Sequence, residues 1–220
     1  MQKKKKLPQD RATEAENSDR LEADIAEVNL LTPSQFRAML AACPTPYLPY
    51  LLIGGMCGLR TSEMFPDREK KKRPLQWEDI KLDHERPHLE VRLLTSSKKK
   101  RRRIIPIAPA LAEWLRPMHK GTGQVLPNKE ASRRNHSETT INEILAAAIG
   151  KDKWEENWLR HSYASYRVEQ TKDLGAVSIE MGNSITTLRD NYMEAVLPGE
   201  AEEWWGISPE TVSRKLEVVA

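Results

Sequence analysis

Cysteine is scarce in this sequence: Cys43 and Cys57 are the two present in 220 residues, and their spacing is neither that of a disulfide framework nor that of a zinc site. No redox or metal role is implied for them, and a reducing cytosol suits them. No window approaches the roughly eighteen apolar residues of a membrane span. The lysine-rich start runs into polar and acidic residues instead of the apolar stretch of a signal peptide. His84, His88, His119 and His136 show no ligand spacing, so no metal site is expected. Glycine-rich loops of the nucleotide-binding types are missing, and no cofactor is implied. Excess charge is small too, a formal +3. A polyanionic partner must therefore be met by local concentrations of cations, not by the bulk.

Such concentrations exist. Lys3 to Lys6 form one run, and Lys98, Lys99, Lys100, Arg101, Arg102 and Arg103 form six successive cations. A run of that density repels itself unless it is solvated or faces an anion. The 39% hydrophobic content supports a globular core. Residues 1–30 are too polar to offset chain entropy by burial and are expected to be a tail or linker remnant. The folded unit is expected over 31–220.

Thr32-Pro33-Ser34-Gln35 carries a helix start, with Thr as N-cap, Pro at the first turn and Gln at the third position, ahead of Phe36, Met39 and Leu40. The apolar stretch 47–57 predicts a buried helix running into Gly58-Leu59-Arg60. Trp77-Glu78-Asp79-Ile80 reads as a strand region. Leu89, Val91 and Leu93, and then Ile104, Ile105 and Ile107, predict two strands joined by the basic run. Helices follow from Pro109, around Ile141 to Ala148 before Gly150, and over 158–170, 173–181 and 184–193, with a short one near Trp204 and a last one opened by Ser208-Pro209. The fold class is mostly helical α+β with a small antiparallel sheet, without internal repeats.

Each chemistry-bearing residue has a bland reading beside the functional one. Arg60 is either a phosphate clamp, because a guanidinium fork matches phosphate oxygens, or a helix-end cation paired with Glu63. Arg160 is a second clamp or a surface cation. The basic run is a nucleic-acid-contacting loop or a solvated hairpin tip. Tyr192, four residues after Leu188 and seven after Ile185, reads by periodicity alone as core.

The order of these pieces resembles the tyrosine recombinase, or phage-integrase, family. Gly58-Leu59-Arg60-Thr61-Ser62-Glu63-Met64 is similar to its first arginine motif. Ser97-Lys98 through Ile104-Ile105-Pro106-Ile107 is similar to its β-hairpin, with Lys98 matching the catalytic lysine and Lys99 and Lys100 as alternatives in register. Asn157-Trp158-Leu159-Arg160-His161-Ser162-Tyr163 resembles the second arginine box. Glu180-Met181-Gly182-Asn183-Ser184, with Tyr192 nine positions after Asn183, resembles the terminal box.

The resemblance implies the tyrosine-recombinase catalytic fold and strand cleavage and rejoining through a 3′-phosphotyrosine, without metal or ATP. It implies Arg60, Lys98, Asn157, Arg160, Asn183 and Tyr192 as catalytic, Glu63 and His161 as supporting, and Lys99 to Arg103 as DNA contacts. It also implies double-stranded DNA as partner, with self-association as a tetramer on it and no membrane. Asn157 and Asn183 stand where the family usually has His, and His or Trp. An amide donates a hydrogen bond but exchanges no proton near neutral pH. Against the family pattern, about seven residues, Asp67 to Arg73, are read as an insertion after the first motif, and the N-terminal clamping domain is expected to be absent, the residues before Leu31 being too few and too polar to form one. The competing expectations are a catalytically decayed DNA-binding remnant of the same fold and, from another class, a basic RNA-associated or structural protein.

Overall fold

Thr32 opens the first helix as its sequence predicts. In the computed structural model, which describes residues 29–65, 73–93, 101–127, 137–193 and 195–212, its hydroxyl accepts a bond from the Gln35 amide at 3.2 Å. The Gln35 side chain in turn accepts one from the Thr32 amide at 2.9 Å. This capping box satisfies two amides that a helix start leaves unpaired. Helix α1, Pro33–Ala42, then buries Phe36, Met39 and Leu40. The tail up to residue 28, most of the inserted segment, Lys98 to Lys100 and the end of the last expected helix lie outside the described residues.

Helix α2, Leu48–Cys57, is buried at every position, as an all-apolar helix must be. Its two glycines let neighbours pass close. A Cβ would stand 2.7 Å from Leu159 at Gly54 and 2.7 Å from Phe36 at Gly55. Gly58 ends the helix in the left-handed region at φ 64°, which glycine reaches without strain. A single turn, α3 (Thr61–Met64), follows.

The strand expected around Trp77 starts only at Ile80. Trp77–Asp79 form a 3₁₀ turn instead, in which the Asp79 carboxylate accepts the Gln76 amide at 3.1 Å. Strands β1 (Ile80–Lys81), β2 (His88–Leu93) and β3 (Arg101–Pro106) form an antiparallel sheet in that order, with Leu89 opposite Ile105 and Val91 opposite Arg103. Leu89, Val91, Ile105 and Arg103 are buried, and Arg102 and Ile104 face outward.

Helix α4 (Pro109–Leu115) and helix α5 (Ser137–Ala147) lead to α6 (Trp158–Thr171), the longest described helix, against which α2 packs. Helices α7 (Leu174–Met181), α8 (Ile185–Tyr192) and α9 (Pro198–Trp205) also pack on α6. Trp204 of α9 is stacked between Phe36 at 4.4 Å and Tyr166 at 4.3 Å, and its indole N–H donates to the Gly55 carbonyl at 3.2 Å. Three distant segments are thus fixed around α6. Among the described residues no helix is long and apolar enough to cross a membrane, and no cluster of three or more His, Cys, Asp or Glu is arranged to hold a metal ion.

Candidate active site

The turn after α2 aims Arg60. Its amide donates to the Glu63 carboxylate at 2.9 Å, and its guanidinium stands 3.5 Å from the same group while the side chain stays 40% exposed. The helix-end pair and the available cation therefore coexist. Glu63 is also gripped by Arg103 at 3.0 Å. Burial raises the Glu63 pKa, but the charge and hydrogen bond of Arg103, with the Arg60 amide and guanidinium, outweigh it and hold the carboxyl below its ordinary range.

Arg160 sits on the first turn of α6, after Asn157 in the left-handed region at φ 64°. It is buried. One guanidinium nitrogen donates to the Gly58 carbonyl, and the other donates to the Met181 carbonyl at 2.8 Å and to the Asn183 side-chain oxygen at 2.9 Å. Arg60 donates to that same oxygen at 3.0 Å. Two guanidiniums separated by a hundred residues of sequence thus converge on one oxygen atom. Burial and the neighbouring Arg60 lower the Arg160 pKa to about 10, so the group is cationic at neutral pH.

Asn183 is delivered by the turn between α7 and α8. Gly182 adopts φ 66°, the Ser178 hydroxyl donates to the Asn183 carbonyl at 2.7 Å, and Ser184 caps α8 by accepting from Thr187 at 3.0 Å. Glu180 ties α7 to α6 by accepting from Tyr163 at 2.7 Å and from Arg167 at 2.9 and 2.7 Å. Tyr192 closes α8, with its hydroxyl 2.7 Å from Nδ1 of His161. Burial raises its pKa, against the opposing pull of Arg160. His161 is shifted the other way, lowered by burial and then by Arg160.

The structure therefore brings together Arg60, Glu63, Arg160, His161, Asn183 and Tyr192. Asn157 lies one turn back and lines a cleft of about 410 Å³ with Thr61, Ser62 and Trp154. Of the cations expected to contact DNA, Arg102 is exposed and paired with Glu90 at 3.1 Å. Arg103 is the correction: its side chain is 7% exposed and turned inward onto Glu63. The signal was legible, because Arg103 precedes Ile105 by two and Ile107 by four, which places it on the apolar face of β3. Tyr163 and Tyr166 are committed elsewhere, to Glu180 and to the Leu31 carbonyl at 2.9 Å. Sequence reasoning also missed the Gly58 and Met181 carbonyls, which orient Arg160 through backbone atoms that no motif displays.

This helical arrangement around a small antiparallel sheet defines a class, the tyrosine-recombinase catalytic fold. Structural comparison finds it in the integrase of transposon Tn1549, solved with circular intermediate DNA, at TM-score 0.51 and 16% identity over 84% of this chain and 68% of that one. The chain belongs to the phage integrase family, whose model matches residues 29–195. A second similar structure, the XerH site-specific recombinase bound to a palindromic difH substrate in a post-cleavage complex, has TM-score 0.47 and 16% identity over 74% of this chain. The present chain covers about half, 49%, of that protein. Among curated proteins no match is found.

Proposed function

We propose that this chain is a site-specific DNA strand transferase that cleaves and rejoins double-stranded DNA through a 3′-phosphotyrosine at Tyr192. The observation that carries the reading is the convergence of Arg60 and Arg160 on one oxygen, at 3.0 and 2.9 Å, in the same cluster as a tyrosine hydroxyl 2.7 Å from the His161 ring. A phosphodiester under attack gains negative charge on its non-bridging oxygens. Fixed cations in a partly buried site stabilise that charge without reorganising.

Each residue then has a task. Arg60 and Arg160 hold the phosphate, displacing the amide oxygen of Asn183. That amide turns its N–H₂ to the phosphate or remains between the guanidiniums. Asn157, at the cleft beside α3, donates a hydrogen bond to the DNA. Tyr192 attacks phosphorus and conserves the bond energy as a phosphoester, so that a 5′-hydroxyl reverses the step without ATP. Lys98, on the connection between β2 and β3, protonates the departing 5′-oxygen, with Lys99 and Lys100 as the alternatives in register. Lys99 to Arg102 contact DNA phosphates. Strand exchange joins two duplexes, and further copies of the chain assemble as a tetramer on them. In this reading the protein acts on DNA in the cytoplasm.

A nicked suicide duplex tests the reading. A covalent protein–DNA adduct is expected, and Tyr192→Phe should abolish it while leaving the fold intact, because the ring still packs beside Leu188. An adduct on any other tyrosine would refute the assignment. DNA binding without an adduct would support the second reading, a decayed DNA-binding remnant, which the amides at 157 and 183 favour.

A further inference from the structure

Tyr192 presents a chemical difficulty to this scheme. A phenol is a poor nucleophile until it loses its proton, and Asn157 and Asn183 are amides that take up no proton near neutral pH. The Asn183 oxygen is further committed to two guanidiniums, at 3.0 and 2.9 Å. Opposite the phenol, on the first turn of α6, stands His161. Its Nδ1 is 2.7 Å from the Tyr192 oxygen, and the two rings lie 5.7 Å apart with planes tilted by 35°.

We propose that His161 is the proton acceptor for Tyr192, so that the base of this site comes from the position following the second arginine instead of three residues before it. The inference rests on the strand-transferase reading above. With the phenol as donor, Nδ1 is the acceptor and the ring proton resides on Nε2. Burial and the adjacent Arg160 keep the ring neutral at physiological pH, the form able to accept. Burial raises the Tyr192 pKa, and the positive charge of Arg160 pulls it the other way, favouring the developing phenolate.

The step balances. As the phenol oxygen bonds to phosphorus, its proton passes to Nδ1 and the ring becomes imidazolium. The bond from phosphorus to the 5′-oxygen breaks, and that oxygen takes a proton from the acid on the other side. In the reverse step the 5′-hydroxyl attacks, the phosphotyrosyl bond breaks, and the imidazolium returns its proton to the leaving phenolate. No oxidant, metal or nucleotide enters. The geometry has a structural origin: residue 161 follows Arg160 on α6, so the element that positions the phosphate clamp also fixes the base, and α8 packed across it brings the phenol within reach.

Single-turnover cleavage of a suicide duplex tests this with His161→Ala and His161→Gln, both checked for unchanged DNA affinity and circular dichroism. Cleavage should slow by about 10²-fold or more in each, the usual scale of general base catalysis. Added imidazole should restore part of the rate to His161→Ala. A 5′-bridging sulfur substrate, whose leaving group needs no proton, should leave the defect in place, because the lost proton transfer is on the nucleophile side. Wild-type rate in His161→Gln would reduce the contact to a hydrogen bond and overturn the proposal. Faster cleavage by His161→Ala would make the contact a restraint on Tyr192 and also overturn it, as would a slow His161→Ala with unaltered binding that imidazole leaves unchanged. Tyr192→Phe in the same assay separates the two levels. An adduct surviving that change sinks the strand-transferase reading itself, whereas its loss alongside fully active His161 variants sinks only the inference about the base.

Discussion

Arg103 and Glu63, forty residues apart in sequence, are joined by a 3.0 Å ion pair between side chains that are 7% and 9% exposed. The pair connects the hairpin to the first arginine motif, because the same carboxylate accepts the Arg60 amide. Removing one partner of a buried pair costs at most about 3–5 kcal/mol, and here the Arg60 guanidinium, 3.5 Å from Glu63, still offsets part of the remaining charge. Arg103→Ala should therefore lower the unfolding free energy by that order in urea titrations, whereas Arg102→Ala, at an exposed site, should change it by less than about 1 kcal/mol.

The pH dependence of the same contact has a definite sign. The folded-state pKa of Glu63 lies below its ordinary value of 4.5. Its contribution to stability is thus fully present above the unfolded value and is lost as pH falls through the folded one. The stability difference between the wild type and Glu63→Gln should be flat at neutral pH and shrink below about pH 4.5. A difference that grows on acidification would contradict the assigned pairing.

Asn183 lends itself to a charge test. With its oxygen accepting from Arg60 and Arg160, Asn183→Asp would place a carboxylate between the two guanidiniums and neutralise the proposed phosphate site. The expected order in single-turnover cleavage is wild type, then Asn183→Ala slower by about 10²-fold, as for the loss of one oriented donor, then Asn183→Asp slowest. Asn183→Asp should also gain thermal stability relative to Asn183→Ala, through the new ion pairs, and that opposition of stability and activity is the signature to measure.

Much of this was legible in the sequence where a local rule applied. The capping box at Thr32, the buried helix running into Gly58, the helix that begins after residue 184 and the two alternating strands all stand where the chain predicts them. The site residues were found through spaced motifs that resemble a family, since periodicity alone placed Tyr192 in the core, and the side chain is indeed largely buried. What escaped was set by tertiary packing. The pairing of Arg103 with Glu63 and the backbone carbonyls that hold Arg160 depend on contacts between segments far apart in the chain. The Trp77 region was misread because Asp79 offers its carboxylate to the Gln76 amide, which favours a turn over an extended strand.

The basic run of the hairpin should act on DNA through phosphates. Replacing Arg101 and Arg102 with Ala should reduce the magnitude of the log-affinity versus log-salt slope by about one to two units, near 0.9 for each lost phosphate contact. Binding should weaken equally on unrelated duplexes. A loss confined to one sequence would mean that these residues read bases.

Gly58 joins stability to the geometry of the candidate site. Its φ of 64° disfavours any residue with a Cβ, and an added Cβ would stand 2.3 Å from the Tyr163 ring. That ring has little freedom to retreat, because its hydroxyl is bonded to the buried Glu180 at 2.7 Å. Gly58→Ala should then cost about 2–5 kcal/mol, the sum of left-handed backbone strain and overpacking. Gly121, with φ 75° and open space around its Cβ position, is the control. Gly121→Ala carries the strain alone and should cost about 1–2 kcal/mol. Because the Gly58 carbonyl accepts a hydrogen bond from Arg160, a backbone shift there also moves the clamp. The folded fraction of Gly58→Ala should cleave DNA more slowly than wild type at a temperature where both are native, while Gly121→Ala should cleave at the wild-type rate. Equal stability losses at the two glycines would show that Tyr163 does not press on the turn, and unimpaired cleavage by folded Gly58→Ala would show that the carbonyl does not orient Arg160.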